Sequence, residues 1–332
     1  MSSTSLRWAL LGASDIAATR MIPAFRAAGH EVVVVQSGSS EWAAVYARTH
    51  GIGAWTTSVD EAVARADVDA VYVSSKNDRH RAQVEASAAA GRHVLAEKPL
   101  ALSLADAEAM VAACERAGVV MATNHHLPAS PVHRTVKRLV AEGEVGEVRA
   151  IHVSHAVGLP DHLRSWRIDD PVGGGVVLDV FVHDMAAVAA VIGGRALRVS
   201  SMSRTASQVP DSVMSVVEWE GEVIIETHDA YDNFHLPTYF EVLGTTGAIR
   251  ATGCMTGDPV GDVLLYRGLE ATPVDVGPRD DLYLTTTEAF ARAVAGDGAP
   301  IVTGHDGVRS LAAALAALES LATGCGQDVA PA

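Results

Sequence analysis

Val94-Leu95-Ala96-Glu97-Lys98-Pro99-Leu100 reads as a short apolar strand that stops at a carboxylate, an ammonium and a proline. Far upstream, Leu10-Leu11-Gly12-Ala13-Ser14 reads as a second such strand, one that breaks at glycine into a helix. Strands apolar on both faces belong to parallel sheets covered by helices. The same alternation fills the chain around these two runs. Strands fall at 7–11, 32–36, 70–74, 94–96 and 119–123, helices at 42–50, 59–65, 80–90 and 104–117, and a tight turn at 12–17 enters a helix that runs to about 28. Gly29, Gly51, Gly91 and Gly118 close four of those helices. The order predicts α/β architecture with a doubly wound parallel sheet of the Rossmann kind.

Beyond residue 124 the pattern changes. A helix at 131–142 precedes an alternating strand at 148–157, and Gly173-Gly174-Gly175 leads into a helix at 176–192. Strands then dominate, at 197–204, 213–218, 223–230, 239–243, 248–252 and 263–266. Glu220-Gly221 and Thr245-Thr246-Gly247 read as hairpin turns. Two helices, at 284–295 and 306–323, end the chain. We expect an N-terminal Rossmann domain over 1–124 and a C-terminal α+β domain over 125–332, built on a large, mostly antiparallel open sheet.

Composition narrows the function. Lys and Arg number 25 against 40 Asp and Glu, a net charge of −15 that disfavours nucleic acid and anionic membranes as partners. No apolar run reaches the length of a membrane span, and no secretion signal opens the chain. Cys114, Cys254 and Cys325 are odd in number and far apart, which suits a reducing cytoplasm rather than a disulfide framework.

The turn Gly12-Ala13-Ser14-Asp15-Ile16-Ala17 approximates the dinucleotide fingerprint. Gly12 permits the tight turn, Ser14 replaces the second glycine with a small hydroxyl, and Ala17 allows close helix packing. The helix start offers amides to a pyrophosphate. The second strand ends in Gln36-Ser37-Gly38-Ser39-Ser40, with no carboxylate to bind a ribose diol. Hydroxyls of Ser37 and Ser39 suit a 2′-phosphate, so NADP(H) is favoured and NAD(H) stays open. Trp42 suits either adenine stacking or the core.

Lys98 is held extended by Pro99, a place from which an ammonium can polarise a ketone. Asp179 and His183 are four residues apart, on one helix face. That histidine suits proton donation to an alkoxide, and equally a buried polar core. Asn124-His125-His126 follows a strand at the carboxyl edge of the sheet. Adjacent histidines on extended chain diverge, and no ordinary zinc spacing accompanies them, so no metal is expected. His162, Arg164, Trp166 and Arg167 lie on a segment that reads as a substrate-covering loop or as a linker.

Gly12-x-Ser14-x-x-Ala17, Glu97-Lys98-Pro99 and Asp179-x-x-x-His183 together resemble the glucose–fructose oxidoreductase, inositol dehydrogenase and rhizopine-catabolism (Gfo/Idh/MocA) family, over nearly the whole chain. The resemblance implies an NADPH-dependent reduction of a cyclic sugar ketone such as 1,5-anhydro-D-fructose. It makes Lys98, His183 and Asp179 catalytic. It puts Gly12, Ser14, Asp15, Ile16, Ser37, Ser39, Ser75, Asn77, His80, Glu97, Lys98, Asn124, Trp166 and Arg167 near the cofactor. It puts His125, His162, Trp166, Asp179 and His183 near a small sugar or polyol. One departure stands out: a reductase of this family carries an arginine where this chain has Trp42. A sugar, inositol or dihydrodiol dehydrogenase of the same family is the first alternative, and a non-catalytic dinucleotide-binding regulator the second. The chain is expected to act as a monomer, or as a homo-oligomer joined through its C-terminal sheet.

Overall fold

Six strands form a wholly parallel sheet in the computed structural model, which describes residues 5–205 and 207–331. They are β1 (Arg7–Leu11), β2 (Glu31–Gln36), β3 (Ala54–Thr56), β4 (Ala70–Val73), β5 (His93–Ala96) and β6 (Met121–Thr123), in spatial order β3-β2-β1-β4-β5-β6. The order reverses at β1, and ligands of such sheets bind beyond the carboxyl ends of the strands at that switch. β1, β4 and β5 are almost entirely buried, as their unbroken apolar sequences require.

The chain does not divide at a single point. One compact unit comprises residues 1–125 together with 283–308, and the other 126–282 with 309–332. The returning segment brings Phe290 against Trp8, with ring centroids 5.2 Å apart, while Trp8 also stacks on Phe25 at 4.2 Å. All three rings are buried, so the helix Leu282–Val294 completes the core of the first unit. Thr123 and Ala122 at the end of β6 also pair with Thr303.

The second unit carries nine strands: β7 (Val148–Ala156), β8 (Ala196–Ser203), β9 (Ser212–Trp219), β10 (Val223–Ala230), β11 (Tyr239–Gly244), β12 (Ala248–Thr252), β13 (Asp262–Arg267), β14 (Glu270–Val274) and β15 (Gln327–Asp328). Their order is β14-β13-β12-β11-β7-β10-β9-β8-β15, antiparallel except where β7 lies parallel to β10. Burial alternates along β9 and β10, which places Val213, Val217, Ile225 and Asp229 on a covered face. The helices Pro131–Ala141 and Val182–Ile192 pack on the sheet and on each other. The opposite face exposes Met202, Met214, Val216 and Ile224.

Three short strands escape the sequence pattern: β3, β14 and β15. Each is an edge element of its sheet or lies beside one, and each buries little. Both glycine-led helices also open differently from expectation, with one π-type turn at Ala17–Met21 and another at Val177–Phe181. Such turns recur where a side chain must be re-aimed at a functional position. No described helix is long and apolar enough to cross a membrane.

Gly12 makes the turn by which β1 passes into the first helix. Its φ is +119°, and a Cβ there would stand 2.7 Å from the backbone of Ser74 and Ser75. Gly12→Ala therefore combines a disfavoured backbone with a collision against β4's outlet, costing upwards of about 1–3 kcal/mol. We expect the variant to lose several degrees in Tm and to lose affinity for a nicotinamide dinucleotide, measured by differential scanning fluorimetry and by titration of tryptophan fluorescence.

Candidate active site

The predicted cofactor residues of the first unit gather at one sheet edge. Gly12 follows β1, Ser37 and Ser39 follow β2, Ser75 and Asn77 follow β4, Glu97 and Lys98 follow β5, and Asn124 follows β6. Asp15 and Ile16 open the helix after the turn, with Asp15 exposed. Ser14 acts inward: its hydroxyl donates to Ser74 Oγ at 2.7 Å and accepts from the Ala17 amide at 3.2 Å. Two contacts absent from the sequence reading hold the same turn. Trp42 Nε1 donates to the Ala13 carbonyl at 3.1 Å, and the Tyr46 hydroxyl to the Ser14 carbonyl at 2.8 Å. With those carbonyls engaged by the helix Ser40–His50, the turn keeps one shape. Trp42 is half exposed and is not a core residue.

Glu97 knits the far side of this edge. Its Oε1 accepts from the buried Tyr72 hydroxyl and from Asn124 Nδ2, the latter at 2.6 Å, and its Oε2 faces the Lys98 amide at 3.3 Å. Burial and the neighbouring carboxylate push the Tyr72 hydroxyl well up, so it stays a donor. Strands β4, β5 and β6 thus share one carboxylate. Lys98 follows at a cis Lys98–Pro99 bond, half-buried. His125 is buried, and burial, with the Lys98 charge second, pushes its imidazole down to about 3. It is neutral at physiological pH. His80 is a strut: Nδ1 lies 3.1 Å from the Leu100 carbonyl and Nε2 3.2 Å from that of Ser75. Ser75 Oγ donates to Gln83 at 2.7 Å. Both residues shape the loop after β4.

A dinucleotide fits what these residues leave. Gly12 provides a close approach that any Cβ would fill, the following helix presents unsatisfied amides, and the buried Asn124 Oδ1 has no partner.

In the second unit, the π turn Val177–Phe181 carries Asp179, and His183 stands at the start of the helix that continues it. Both are buried. Gly174 brings this turn against the helix Ser165–Asp169, since a Cβ there would lie 2.6 Å from the Trp166 and Asp170 carbonyls. Arg167 Nε donates to Asp179 Oδ2 at 2.9 Å, and the Tyr231 hydroxyl donates to the same oxygen at 2.9 Å. Burial, with the nearby carboxylate, drives the Tyr231 hydroxyl strongly upward, so it too remains a donor. The Arg167 guanidinium stacks over Trp166 at 4.6 Å, and the His126 and His183 rings meet edge-on at 4.7 Å. The predicted Trp166, Arg167, Asp179 and His183 therefore belong to one cluster, to which Tyr231 and His126 are additions. The His162 side chain lies outside the described residues.

Behind His183 sits a fully buried polar group. Asp184 Oδ1 lies 2.7 Å from His155 Nδ1, and Thr227 Oγ1 donates to Asp229 Oδ2 at 2.8 Å. One ligand-type atom from each of His155, Asp184 and Asp229 falls within 4.8 Å of the others. The remaining oxygens, Asp184 Oδ2 and Asp229 Oδ1, find no ordinary donor. A proton held by Asp229 and given to Asp184 satisfies both. Desolvation pushes Asp184 up to about 8, and desolvation, with the Asp184 charge second, also holds Asp229 well above the ordinary carboxyl range.

Two family models match the chain. "Oxidoreductase family, NAD-binding Rossmann fold" matches residues 6–125, and "GFO/IDH/MocA C-terminal domain" matches residues 133–250. The chain belongs to the Gfo/Idh/MocA oxidoreductase family. Among relatives of this Gfo/Idh/MocA protein is a 1,5-anhydro-D-fructose reductase of Ensifer adhaerens, 44% identical over 97% of this chain and 98% of that protein. A D-xylose 1-dehydrogenase (NADP(+)) of Haloferax volcanii is 28% identical over 98% of this chain and 100% of its own length. An aldose-aldose oxidoreductase from Caulobacter crescentus, solved with glycerol, shares the fold at a TM-score of 0.88 and 24% identity, over 98% and 99% of the two chains. The chain is an NAD(P)-dependent oxidoreductase of this family, and the two relatives just named are a 1,5-anhydro-D-fructose reductase and a D-xylose dehydrogenase.

The shared proton makes a pH prediction. Both carboxyls bind protons more tightly folded than unfolded. Their contribution is complete below the ordinary carboxyl range and is lost as pH rises through about 8. Wild-type Tm should fall between about pH 5 and pH 8.5, and Asp229→Asn, which keeps a donor facing Asp184, should flatten the fall. Thermal melts across that range check it; a Tm that climbs with pH, or an unchanged slope in the variant, counts against the shared proton.

Proposed function

We propose that this chain is an NADPH-dependent reductase of a cyclic sugar ketone of the 1,5-anhydro-D-fructose type. The observation that carries the reading is the Asp179 carboxylate, clamped by Arg167 and Tyr231 on the turn that leads into His183. A carboxylate with one oxygen saturated by fixed donors is a rigid acceptor, suited to a sugar hydroxyl. The kinship with a 1,5-anhydro-D-fructose reductase supports the same substrate class.

The nicotinamide dinucleotide, when bound, supplies the hydride. In the first unit, the Gly12 turn, Ser37, Ser39, Glu97 and Asn124 serve its binding. Lys98 stabilises the negative charge that develops on the ketone oxygen. His183 delivers the proton to that oxygen, and Asp179 orients the sugar. The neutral His125 and the Trp166 ring complete the substrate contacts. The second reading runs the same steps backwards, as a sugar dehydrogenase, and the D-xylose dehydrogenase among the relatives favours it.

The test is oxidation of NADPH and of NADH with 1,5-anhydro-D-fructose by wild type and by His183→Ala. We expect wild-type turnover with NADPH, and a kcat at least ~100-fold lower in the variant, with the Kd for NADPH unchanged. Turnover that survives the substitution removes His183 from the role of proton donor. Turnover only in the oxidative direction, on a sugar panel with NADP⁺, selects the second reading.

A further inference from the structure

We infer that Arg79 gives this chain its selectivity for a 2′-phosphorylated dinucleotide, by binding the 2′-phosphate beside Gly38. The inference rests on the proposed use of NADPH and assigns the residue responsible for it.

In a Rossmann domain the end of β2 reads the adenosine ribose, and a carboxylate there accepts from the diol and repels a phosphate. Here β2 ends at Gln36, and Ser37-Gly38-Ser39-Ser40 follows without a carboxylate. Lack of repulsion is not attraction. In a chain of net charge −15, a phosphate needs a cation close at hand. The local sequence supplies none: the first basic residue after β2 is Arg48, in the last turn of the helix Ser40–His50.

The fold brings one from another strand. Arg79 ends the short turn Asn77–Arg79 after β4. Its Nη1 lies 3.5 Å from the point where a Cβ on Gly38 would stand. The guanidinium of Arg79 thus stands beside the turn that follows β2, within van der Waals reach of position 38. Arg79 is exposed, and among the described residues no carboxylate or carbonyl takes its side-chain donors. A guanidinium whose donors are unused can grip a phosphate with two parallel hydrogen bonds.

Other donors converge on the same turn. Ser39 Oγ accepts from the Trp42 amide at 3.2 Å, which leaves its O–H to donate outward. Ser37 is half-buried at the strand end. The helix Ser40–His50 begins here, with free amides and the positive end of its dipole. Glu41 and Asp78, the nearest carboxylates in sequence, are both exposed and well hydrated. Trp42, in the first turn of that helix, brings no charge, and Arg79 supplies the cation from β4's outlet.

The test uses the full chain without sugar, by isothermal titration with NADPH, NADH and adenosine 2′,5′-bisphosphate. Wild type should bind NADPH at least about tenfold tighter than NADH, and should bind the bisphosphate. Arg79→Ala should weaken NADPH and the bisphosphate ~10- to 100-fold, the range of charge-assisted hydrogen bonds, and leave NADH within about twofold. Arg79→Lys, which keeps a point charge without the fork, should fall between. Equal weakening of NADPH and NADH, an unchanged NADPH affinity in Arg79→Ala, or a wild type indifferent to the 2′-phosphate each overturns the inference. Because no sugar is present, failure of the proposed reductase activity shows separately, in the turnover assay.

Discussion

The carboxylate of Glu97 is the point on which the first unit's chemistry turns. A single oxygen takes hydrogen bonds from Tyr72 on β4 and from Asn124 after β6, while Glu97 itself directly follows β5. Three adjacent strands are therefore held level at the edge where a dinucleotide binds. Lys98 is the next residue, so its backbone inherits that fixed height. An ammonium acts on a reacting oxygen only if it is placed before the reaction, and a positioned charge in a partly desolvated edge needs little reorganisation. On the other side of the switch point, Trp42 and Tyr46 play the same part for the Gly12 turn, tying two carbonyls to one helix.

The second unit solves its own positioning problem with a different device. Asp179 is carried on a π turn and receives two donors on one oxygen, one from Arg167 and one from Tyr231. Immediately after His183, Asp184 enters a proton-sharing group with Asp229 and His155. Buried polar groups of this kind are costly unless satisfied, and here each partner satisfies another. The helix start that bears His183 is thereby pinned to β7 and β10, which pair in parallel and put His155 opposite Asp229.

Much of this was legible in the sequence. The alternation of apolar strands and glycine-closed helices carried the parallel sheet, and period-two burial carried most of the antiparallel one. Glu97-Lys98-Pro99 and Asp179-x-x-x-His183 located the two clusters because each chemical group sits beside an abrupt change of element. The short strands β3 and β14 were not legible, since edge strands that bury little leave no hydrophobic period. The return of residues 283–308 to the first unit depends on Phe290 meeting Trp8, and no local signal encodes a contact so distant in sequence. Tyr231, Tyr46 and Arg79 were missed for the same reason: each reaches its partner from another element. The π turns were invisible because their composition is that of ordinary helix.

The proposed function requires direct hydride transfer to a sugar ketone. The decisive measurement is reduction of 1,5-anhydro-D-fructose with NADPH carrying deuterium at the transferring C4 position, followed by mass spectrometry and NMR of the product. The account predicts one deuterium per product, bonded to the former ketone carbon, and none in the solvent. Product without label at that carbon, or no reduced sugar despite tight NADPH binding, would contradict it.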